Sequence, residues 1–440
     1  MSSSLRVLRD RNFRYLFLGQ SASAIGDQAV IVALALYVTA RTGSATDLGL
    51  VLSAQSLPLT VLLLLGGVWA DRLPRRAIMI ASDAVRCLVH ALVAVLILTG
   101  GASVAELIVL EALFGAARAF FQPAYSGLLP QTIDEDLQQS AQALSKTTAN
   151  LAFLIGPALG TALVLIAGAG IAFALDAASF ALSAALLVPV RVRPRGRAPG
   201  TAASSLLADL HEGWREVRGR SWVWVTIASF SVLILTAYAT WYALAPSVAR
   251  DVYGRASVFG VLETLTGAGA LAGAVAGLRW RPRRPLVVGA WISLLFVAET
   301  ILFTLGAPLA LVIAAALGGG LGFALLEIWW ETLLVQHIPP HALSRVSAYD
   351  WMGSGALLPL GFAFAGPVAA ALGARWVLGA GAVIGGVMLL VCLLPRSTRE
   401  LGLLGSAQQV GGEIGVEAGG ETEVAHVDPL VGVVHERRRV

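Results

Sequence analysis

Hydrophobic residues along the chain form long blocks separated by short polar stretches, without regular alternation. Six apolar blocks precede a longer polar stretch and six follow it, at about 13–38, 47–70, 77–99, 104–122, 143–166, 170–190, 222–246, 256–278, 285–306, 308–333, 347–372 and 376–395. A transmembrane helix needs about 20 consecutive apolar residues, whereas a membrane strand needs alternating segments of about 10. The pattern predicts an all-α membrane protein with 12 transmembrane helices in two six-helix bundles.

The composition excludes most other classes of protein. The chain of 440 residues is 57% hydrophobic and 13% charged, whereas a soluble domain carries about 25% charged residues. A soluble enzyme, a nucleic-acid-binding protein and a disordered chain are therefore excluded. The glycine-rich stretches 267–273 and 379–386 lack the strand and the lysine of a phosphate-binding loop, and no nucleophile elbow or metal-binding histidine pair occurs. We expect no enzymatic activity, no cofactor and no metal.

Arginines predict the orientation in the membrane. They cluster before the first block, between the second and third, between the sixth and seventh, and between the eighth and ninth blocks. Positive residues are retained on the cytoplasmic side, so both termini are expected there, in a multi-pass protein of the cell membrane. The first block is interpreted as an uncleaved helix and not as a signal peptide.

These boundaries predict four regions: an N-terminal bundle at 1–190, a cytoplasmic linker at 191–221, a C-terminal bundle at 222–395 and a disordered cytoplasmic tail at 396–440. In the linker, Leu207, Leu210, Trp214 and Val217 recur at helical spacing, which predicts an amphipathic helix on the membrane surface. The tail is rich in Gly, Glu and Val and poor in large apolar residues, which is typical of disorder.

Two landmarks repeat between the halves. The pair Gly156 and Pro157 in the fifth block recurs as Gly366 and Pro367 in the eleventh, an offset of 210 residues. The run at 74–76 recurs at 282–284, an offset of 208 residues. Near-equal offsets indicate a duplicated six-helix unit, which is common among transporters.

The stretch GVWADRLPRR at 67–76 resembles the signature of the major facilitator superfamily between its second and third helices. It supplies Gly67, Asp71, Arg72, Arg75 and Arg76. GPALG, from Gly156 to Gly160, is similar to the fifth-helix motif of that family, and Arg118 stands where the family has a fourth-helix arginine. The stretches NFRYLFLGQSASAIGD, PHALSRVSAYDWMGS and PLGFAFAGP resemble its effector-type exporters, a group that includes macrolide efflux pumps and the enterobactin exporter.

Charged residues within apolar blocks are the candidates for function. A carboxylate near the centre of a membrane helix costs roughly 2.5–3.5 kcal/mol on insertion scales, so it must face a cavity, find a partner or hold a proton. Asp27 lies about 21 Å into the first segment, from about 14 residues at 1.5 Å each. The alternative for Asp27 is a carboxylate that only packs helices together. Asp83 and Arg86, three residues apart in the third block, are expected to pair.

The resemblance implies that the first, fourth, seventh and tenth helices line a central cavity. It thereby brings together five candidates for proton coupling: Asp27, Glu111, Arg118, Glu327 and Glu331. The alternatives are a structural ion pair for Glu111 and Arg118, and simple contact with water for Glu331. Aromatic candidates for the substrate cavity are Tyr238, Trp241, Tyr242, Trp329 and Trp330. For the three on the seventh helix, the alternative is a belt at the membrane interface.

Gly67, Asp71, Arg72, Arg75 and Arg76 are predicted to form a conformational latch between the bundles, with Asp350 as a partner. The alternative is that Arg75 and Arg76 serve only membrane topology. The glycines and prolines at Gly156, Pro157, Gly160, Gly366 and Pro367 are predicted to pack helices closely.

Together these features predict a monomeric secondary transporter that exports lipophilic or amphiphilic small molecules by alternating access, in exchange for protons. Its partners are then a small-molecule substrate, protons and the lipid bilayer, without nucleic acid. Export of one endogenous metabolite or siderophore is an alternative with the same fold. A membrane scaffold or sensor without transport is an alternative of another class.

Overall fold

The computed structural model describes residues 6–134, 137–192, 213–277 and 279–403, without the side chains at 64–68, 70–72, 340, 341, 344 and 354. The N-terminal bundle consists of α1 Arg11–Thr42, α2 Ala45–Arg72, α3 Arg75–Thr99, α4 Val104–Leu128, α5 Gln138–Ala167 and α6 Ala169–Leu187. The C-terminal bundle consists of α7 Ser221–Tyr253, α8 Ser257–Gly277, α9 Pro285–Leu305, α10 Leu309–His337, α11 in two segments Pro340–Ala356 and Leu358–Leu372, and α12 Ala374–Val391. A short helix, α13 Arg396–Glu400, follows.

Eleven helices in the described ranges are long and apolar enough to cross a membrane. The helix outside this set is α4, which carries Glu106, Glu111 and Arg118 within its 25 residues. With α4 the two bundles hold the predicted twelve long helices within the described ranges, and the all-α fold is confirmed. Large side chains such as Leu88, Ile166 and Trp376 are exposed on the outside of the bundles, as expected where lipid replaces water.

Capping side chains, glycine and proline determine where the helices begin, end and break. The carboxylate of Asp10 caps α1 by accepting a hydrogen bond from the Asn12 amide at 2.8 Å, and Gly43, at φ 67°, ends the helix. The break in α11 at Leu357 precedes Pro359, which has no N–H to continue the helical ladder. A π-helical turn at Ile234–Tyr238 interrupts α7.

The two ends of the molecule differ in how the bundles meet. We define the arginine-rich end by Arg75 and Arg283, at the starts of α3 and α9. At the opposite end one apolar core spans both bundles, with Val38 and Leu48 packed in the same cluster as Leu244. At the arginine-rich end each bundle has its own core. The two bundles therefore share one apolar core at the opposite end and have separate cores at the arginine-rich end.

Side-chain hydrogen bonds to backbone carbonyls and one close helix approach hold the bundles together at the opposite end. The Ser53 hydroxyl of α2 donates to the Pro359 carbonyl of α11 at 3.0 Å, and the Arg250 guanidinium of α7 donates to the Thr39 carbonyl of α1 at 3.3 Å. A Cβ atom at Gly49 would lie 2.3 Å from the Phe362 carbonyl oxygen. Glycine thus allows α2 and α11 to touch.

The predicted packing glycines lie at such close approaches. A Cβ at Gly156 would stand 2.2 Å from the Gln28 Cβ, and one at Gly160 would stand 2.1 Å from the Ala29 carbonyl oxygen, both on α1. The repeat partner Gly366 instead faces the neighbouring bundle, where a Cβ would stand 2.2 Å from the Thr46 Cα. Their neighbours Pro157 and Pro367 lie inside α5 and α11 and are buried and exposed, respectively.

Replacing Gly160 with valine will lower the free energy of unfolding by about 1–3 kcal/mol, because α5 must move away from the α1 backbone. The thermal unfolding midpoint of the detergent-solubilised protein measures the loss. Gly355→Ala is the matched control, since a Cβ at Gly355 meets no atom within 4 Å. Equal midpoints for the two variants would contradict close packing at Gly160.

Most of the predicted linker helix and tail lies outside the described residues, at 193–212 and 404–440. Within the described part of the linker, residues 213–218 are helical, and the Trp214 ring packs on Tyr349 of α11 with centroids 5.9 Å apart. Helix α13 forms where the sequence predicted disorder. It is ordered because Thr398 is buried and the Ser397 hydroxyl lies 2.9 Å from the Ser221 hydroxyl.

Candidate functional site

Arg86 of α3 is the centre of a buried ion-pair cluster in the N-terminal bundle. Its guanidinium pairs with the Asp83 carboxylate one turn earlier and lies 3.8 Å from Asp27 Oδ2 on α1. The rings of Phe121 and Phe180 lie 4.2 and 4.3 Å from the guanidinium carbon. Arg86 is 2% exposed and Asp27 is 15% exposed, so Asp27 is the member of this cluster that solvent reaches most.

His90, one turn further along α3, is the centre of a second cluster. Its Nδ1 lies 2.5 Å from Asp176 Oδ2 on α6, and its Nε2 lies 3.8 Å from Glu111 Oε1 on α4. Gln55 of α2 donates to Glu111 Oε2 at 2.7 Å. The imidazole stacks on Phe114 with centroids 4.1 Å apart. The imidazole and both carboxylates are buried.

The two clusters form one network, which we call the N-terminal charge network: Asp27, Asp83, Arg86, His90, Glu111 and Asp176. They are continuous because Arg86 and His90 are four residues apart on α3, and because a Cβ at Gly26, beside Asp27, would lie 2.1 Å from Asp176 Oδ1. Four carboxylates share one guanidinium and one imidazole. If all four carboxylates were ionised, two negative charges would remain in excess even with a charged imidazole. A low-dielectric interior disfavours such an excess. The network is therefore suited to hold and release protons.

Only part of this network was predicted from the sequence: Asp27 and Glu111 were candidates for proton coupling, and Asp83 was expected to pair with Arg86, as it does here. His90 was not predicted, although Asp83, Arg86 and His90 form a polar stripe at helical spacing in an apolar block. That periodic stripe was the available signal.

Arg118 lies apart from the network. It is partly exposed on α4 and within electrostatic range of the Tyr238 hydroxyl on α7. Tyr238 in turn packs against Tyr242 with ring centroids 4.8 Å apart. Arg118 therefore faces the opposite bundle, whereas Glu111 points into its own.

Trp241 and Tyr242 are buried in the C-terminal bundle. The Trp241 indole donates to Glu263 Oε1 at 2.7 Å, and the Tyr242 hydroxyl donates to Glu263 Oε2 at 2.5 Å. This acceptor on α8 orients both aromatic side chains into the apolar core, where they are buried. Of the three aromatic candidates on α7, only Tyr238 is partly exposed.

A cavity of 220 Å³ lies inside the C-terminal bundle, toward the arginine-rich end, and we call it the C-terminal pocket. Its wall is mostly apolar and includes Phe230 and Phe323, with Glu327, Trp330 and Asp350 as its main polar residues. The Trp330 indole donates to Asp350 Oδ2 at 2.9 Å. The pocket thus combines aromatic surface with two carboxylates.

Trp329 does not line this pocket. Its side chain points to another face of α10, where it is buried with its ring edge on Trp280 at 5.4 Å between centroids. Glu331, one turn after Glu327, pairs with Lys146 of α5. That ion pair joins the two bundles near the arginine-rich end.

The predicted latch is only partly described. Gly67, Asp71 and Arg72 belong to α2, but their side chains are outside the described set. Arg75 donates to the Gly127 carbonyl at 2.9 Å and Arg76 to the Val190 carbonyl at 2.8 Å. Both arginines thus bind carbonyls near the ends of α4 and α6 in their own bundle, as cations do at helix C-termini. The described bond of Asp350 is likewise within one bundle.

Comparison with known proteins gives the family and the fold. The family model for the Major Facilitator Superfamily matches residues 16–357. The multidrug efflux pump Tap of Mycolicibacterium fortuitum is 29% identical over 377 residues, covering 81% of this chain and 89% of that protein. Macrolide efflux protein A of Streptococcus pyogenes is 23% identical over 399 residues, covering 89% and 97%.

Solved structures show the same fold at low identity. A bacterial homologue of the human lysosomal transporter Spinster, in an inward-facing and unoccupied conformation, has a TM-score of 0.63 at 15% identity, covering 89% of this chain and 96% of that chain. The nucleoside transporter NupG has a TM-score of 0.64 at 13% identity, covering 87% and 98%.

Proposed function

Because the chain belongs to the major facilitator superfamily, a family of membrane transporters and not of enzymes, we propose that it is a proton-coupled efflux transporter of lipophilic or amphiphilic small molecules. The N-terminal charge network carries this proposal. It binds the coupling protons, and the C-terminal pocket binds part of the substrate. The two bundles rock about their shared core to expose these sites alternately.

Proton coupling is supported by the excess of carboxylates in the network. Asp27 is its most exposed carboxylate, so protons enter and leave there. His90 and Asp176 lie deeper, and His90 is within 3.8 Å of Glu111. A proton that reaches Asp27 changes the charge balance around Arg86, and this changes how tightly α1 is held against α3. Movement of α1 is thereby linked to protonation.

Substrate binding is supported by the chemistry of the C-terminal pocket. Its aromatic walls favour lipophilic groups, and its two carboxylates favour a positive charge. A volume of 220 Å³ is below the range of about 300–1,000 Å³ for pockets that enclose drug-sized ligands. A large substrate therefore extends from the pocket into the space between the bundles.

Efflux is supported by the separate cores at the arginine-rich end and by the named relatives. Arginines mark the cytoplasmic side of a membrane protein, so we place the arginine-rich end and both termini in the cytoplasm. The bundles have separate cores at this end, and the substrate enters between them from the cytoplasm or the inner leaflet. Tap and macrolide efflux protein A are named as efflux proteins.

Drug susceptibility tests the efflux function. A host strain that lacks its own major pumps is compared with and without the transporter, over a panel of lipophilic amines and neutral drugs. We expect overexpression to raise the inhibitory concentration of several unrelated lipophilic amines. Protection limited to one endogenous metabolite would favour a dedicated exporter, and no flux in reconstituted vesicles would favour a scaffold.

Replacing Glu327 with glutamine will weaken binding of the lipophilic cation tetraphenylphosphonium about tenfold, which corresponds to about 1.4 kcal/mol. The loss follows from removing one of two pocket carboxylates, and a neutral analogue such as triphenylphosphine oxide will bind unchanged. Equilibrium dialysis of the purified protein gives both affinities. Glu400→Gln, an exposed carboxylate on α13, is the control. Equal losses for the cation and the neutral analogue would contradict a charge-selective pocket.

A further inference from the structure

Lys146 is the single lysine of a chain with 31 basic residues. It lies on α5, at the arginine-rich end, where the bundles have separate cores. Its ammonium pairs with Glu331 of α10 and thereby joins the two bundles. Glu331 lies one turn after Glu327, which lines the C-terminal pocket, so the pair lies next to that pocket.

The pair is only weakly held. The Lys146 side chain is 56% exposed and the Glu331 side chain 44% exposed, and ion pairs in contact with water contribute little net stability. An ammonium is also a point charge on a flexible stem, without the two-pronged geometry by which arginine grips a carboxylate. Another cation that reaches Glu331 can therefore take the place of Lys146.

Carboxylates outnumber the lysine at this place. Glu327 lies one turn before Glu331 on the same helix, and both Lys146 and Asp350 are within electrostatic range of it. Asp350 of α11 faces the same pocket. Among the described side chains of these helices, the other titratable or charged groups are His337, whose Nδ1 lies 3.2 Å from the Leu333 carbonyl, Arg345, which lies beside Gly213, and Tyr349, which packs on Trp214. The Lys146 ammonium thus pairs with Glu331 and acts on Glu327, while Asp350 adds a third carboxylate nearby.

We propose that Lys146 is a tethered competitor of the substrate: its ammonium occupies on Glu331 the position that a substrate cation takes on its way to Glu327. The inference rests on the proposed efflux function. Lys146 neutralises the entrance while no substrate is bound and swings into solvent when a cation arrives. It thereby selects against small or weakly bound cations, which do not gain enough contact in the aromatic pocket to displace it.

Cross-linking tests the displacement directly. A water-soluble carbodiimide joins an ammonium to a carboxylate only when the two are in contact. In a chain with a protease site inserted within 193–212, this bond keeps the two bundles together after cleavage. We expect the wild type to cross-link, Lys146→Arg and Glu331→Gln to fail, and the swap of Lys146→Glu with Glu331→Lys to restore the product.

The competing ligand gives the decisive result. Saturating tetraphenylphosphonium is expected to lower the cross-linked fraction at least about fivefold, whereas triphenylphosphine oxide leaves it unchanged. In equilibrium dialysis, Lys146→Gln is expected to tighten cation binding about five- to tenfold, as loss of one competing charge implies. Elution at the wild-type volume in gel filtration confirms that the variant is folded.

A cross-link that persists at saturating tetraphenylphosphonium overturns the inference and makes the pair a simple tie between bundles. Weaker cation binding by Lys146→Gln also overturns it, as does absence of cation binding by every variant. The efflux function fails separately: competition in the cross-linking assay without flux in vesicles leaves the tethered competitor intact and rejects transport.

Discussion

Replacing Arg86 with methionine will lower the free energy of unfolding by about 3–5 kcal/mol, the range for removing one partner of a buried ion pair. Methionine keeps the packing against Phe121 and Phe180 but leaves Asp83 and Asp27 without their cation. Asp83 retains the hydrogen bond from the Ser183 hydroxyl at 2.7 Å, which compensates only part of the loss. The thermal unfolding midpoint in detergent and the yield of folded protein in membranes are the measurements.

Two further variants separate the effect of losing the Arg86 charge on stability from the effect of changing a side-chain volume. Arg11→Met removes an exposed arginine that bonds Tyr15 on the surface and is expected to change stability little. Adding Asp83→Asn to Arg86→Met removes the most buried unpaired carboxylate and is expected to recover a large part of the stability. If the double variant is no more stable than Arg86→Met alone, the role assigned to Arg86 as counter-ion is wrong.

Replacing Asp27 with asparagine will abolish proton-driven accumulation of substrate, with a loss of at least about tenfold, while exchange of substrate across vesicles without a gradient continues. Asparagine has nearly the same shape but cannot bind the transported proton, so the bundles still move when substrate alone is present. Uptake and counterflow of labelled tetraphenylphosphonium in proteoliposomes measure the two activities.

The matched control for Asp27 is Asp47→Asn, an acid in the first turn of α2 at the opposite end. We expect it to retain both activities. If Asp27→Asn lost exchange together with driven uptake, Asp27 would be a structural carboxylate. If it retained both, the protons would enter elsewhere in the network.

The fold was predictable because bilayer thickness sets helix length, so the apolar blocks of the sequence mark all twelve helices. One of them, α4, carries Glu111 and Arg118 and lies outside the eleven helices that are long and apolar enough to cross a membrane. Each charge in a membrane helix lowers the hydropathy by which the helix is recognised. Asp27 and Glu111 stand out in the sequence for the same reason, as costly charges in apolar blocks.

The partners of these charges were not predictable from spacing. His90 and Asp176 are 86 residues apart, and Lys146 and Glu331 are 185 apart, so their contact depends on how helices pack and not on any local pattern. The adjacent tryptophans Trp329 and Trp330 on α10 show a second limit of prediction from the sequence. Adjacent helical residues point about 100° apart, and only the packing shows that Trp330 faces the pocket while Trp329 faces Trp280.

Proteoliposomes with an imposed pH gradient test the central claim, that proton binding in the N-terminal charge network drives efflux. The purified protein is reconstituted with an acidic lumen, and labelled tetraphenylphosphonium is supplied outside with the membrane potential clamped at zero. We expect accumulation of the cation in the lumen together with alkalinisation of the lumen, and loss of both in Asp27→Asn. Accumulation that is the same with and without the pH gradient would contradict this claim.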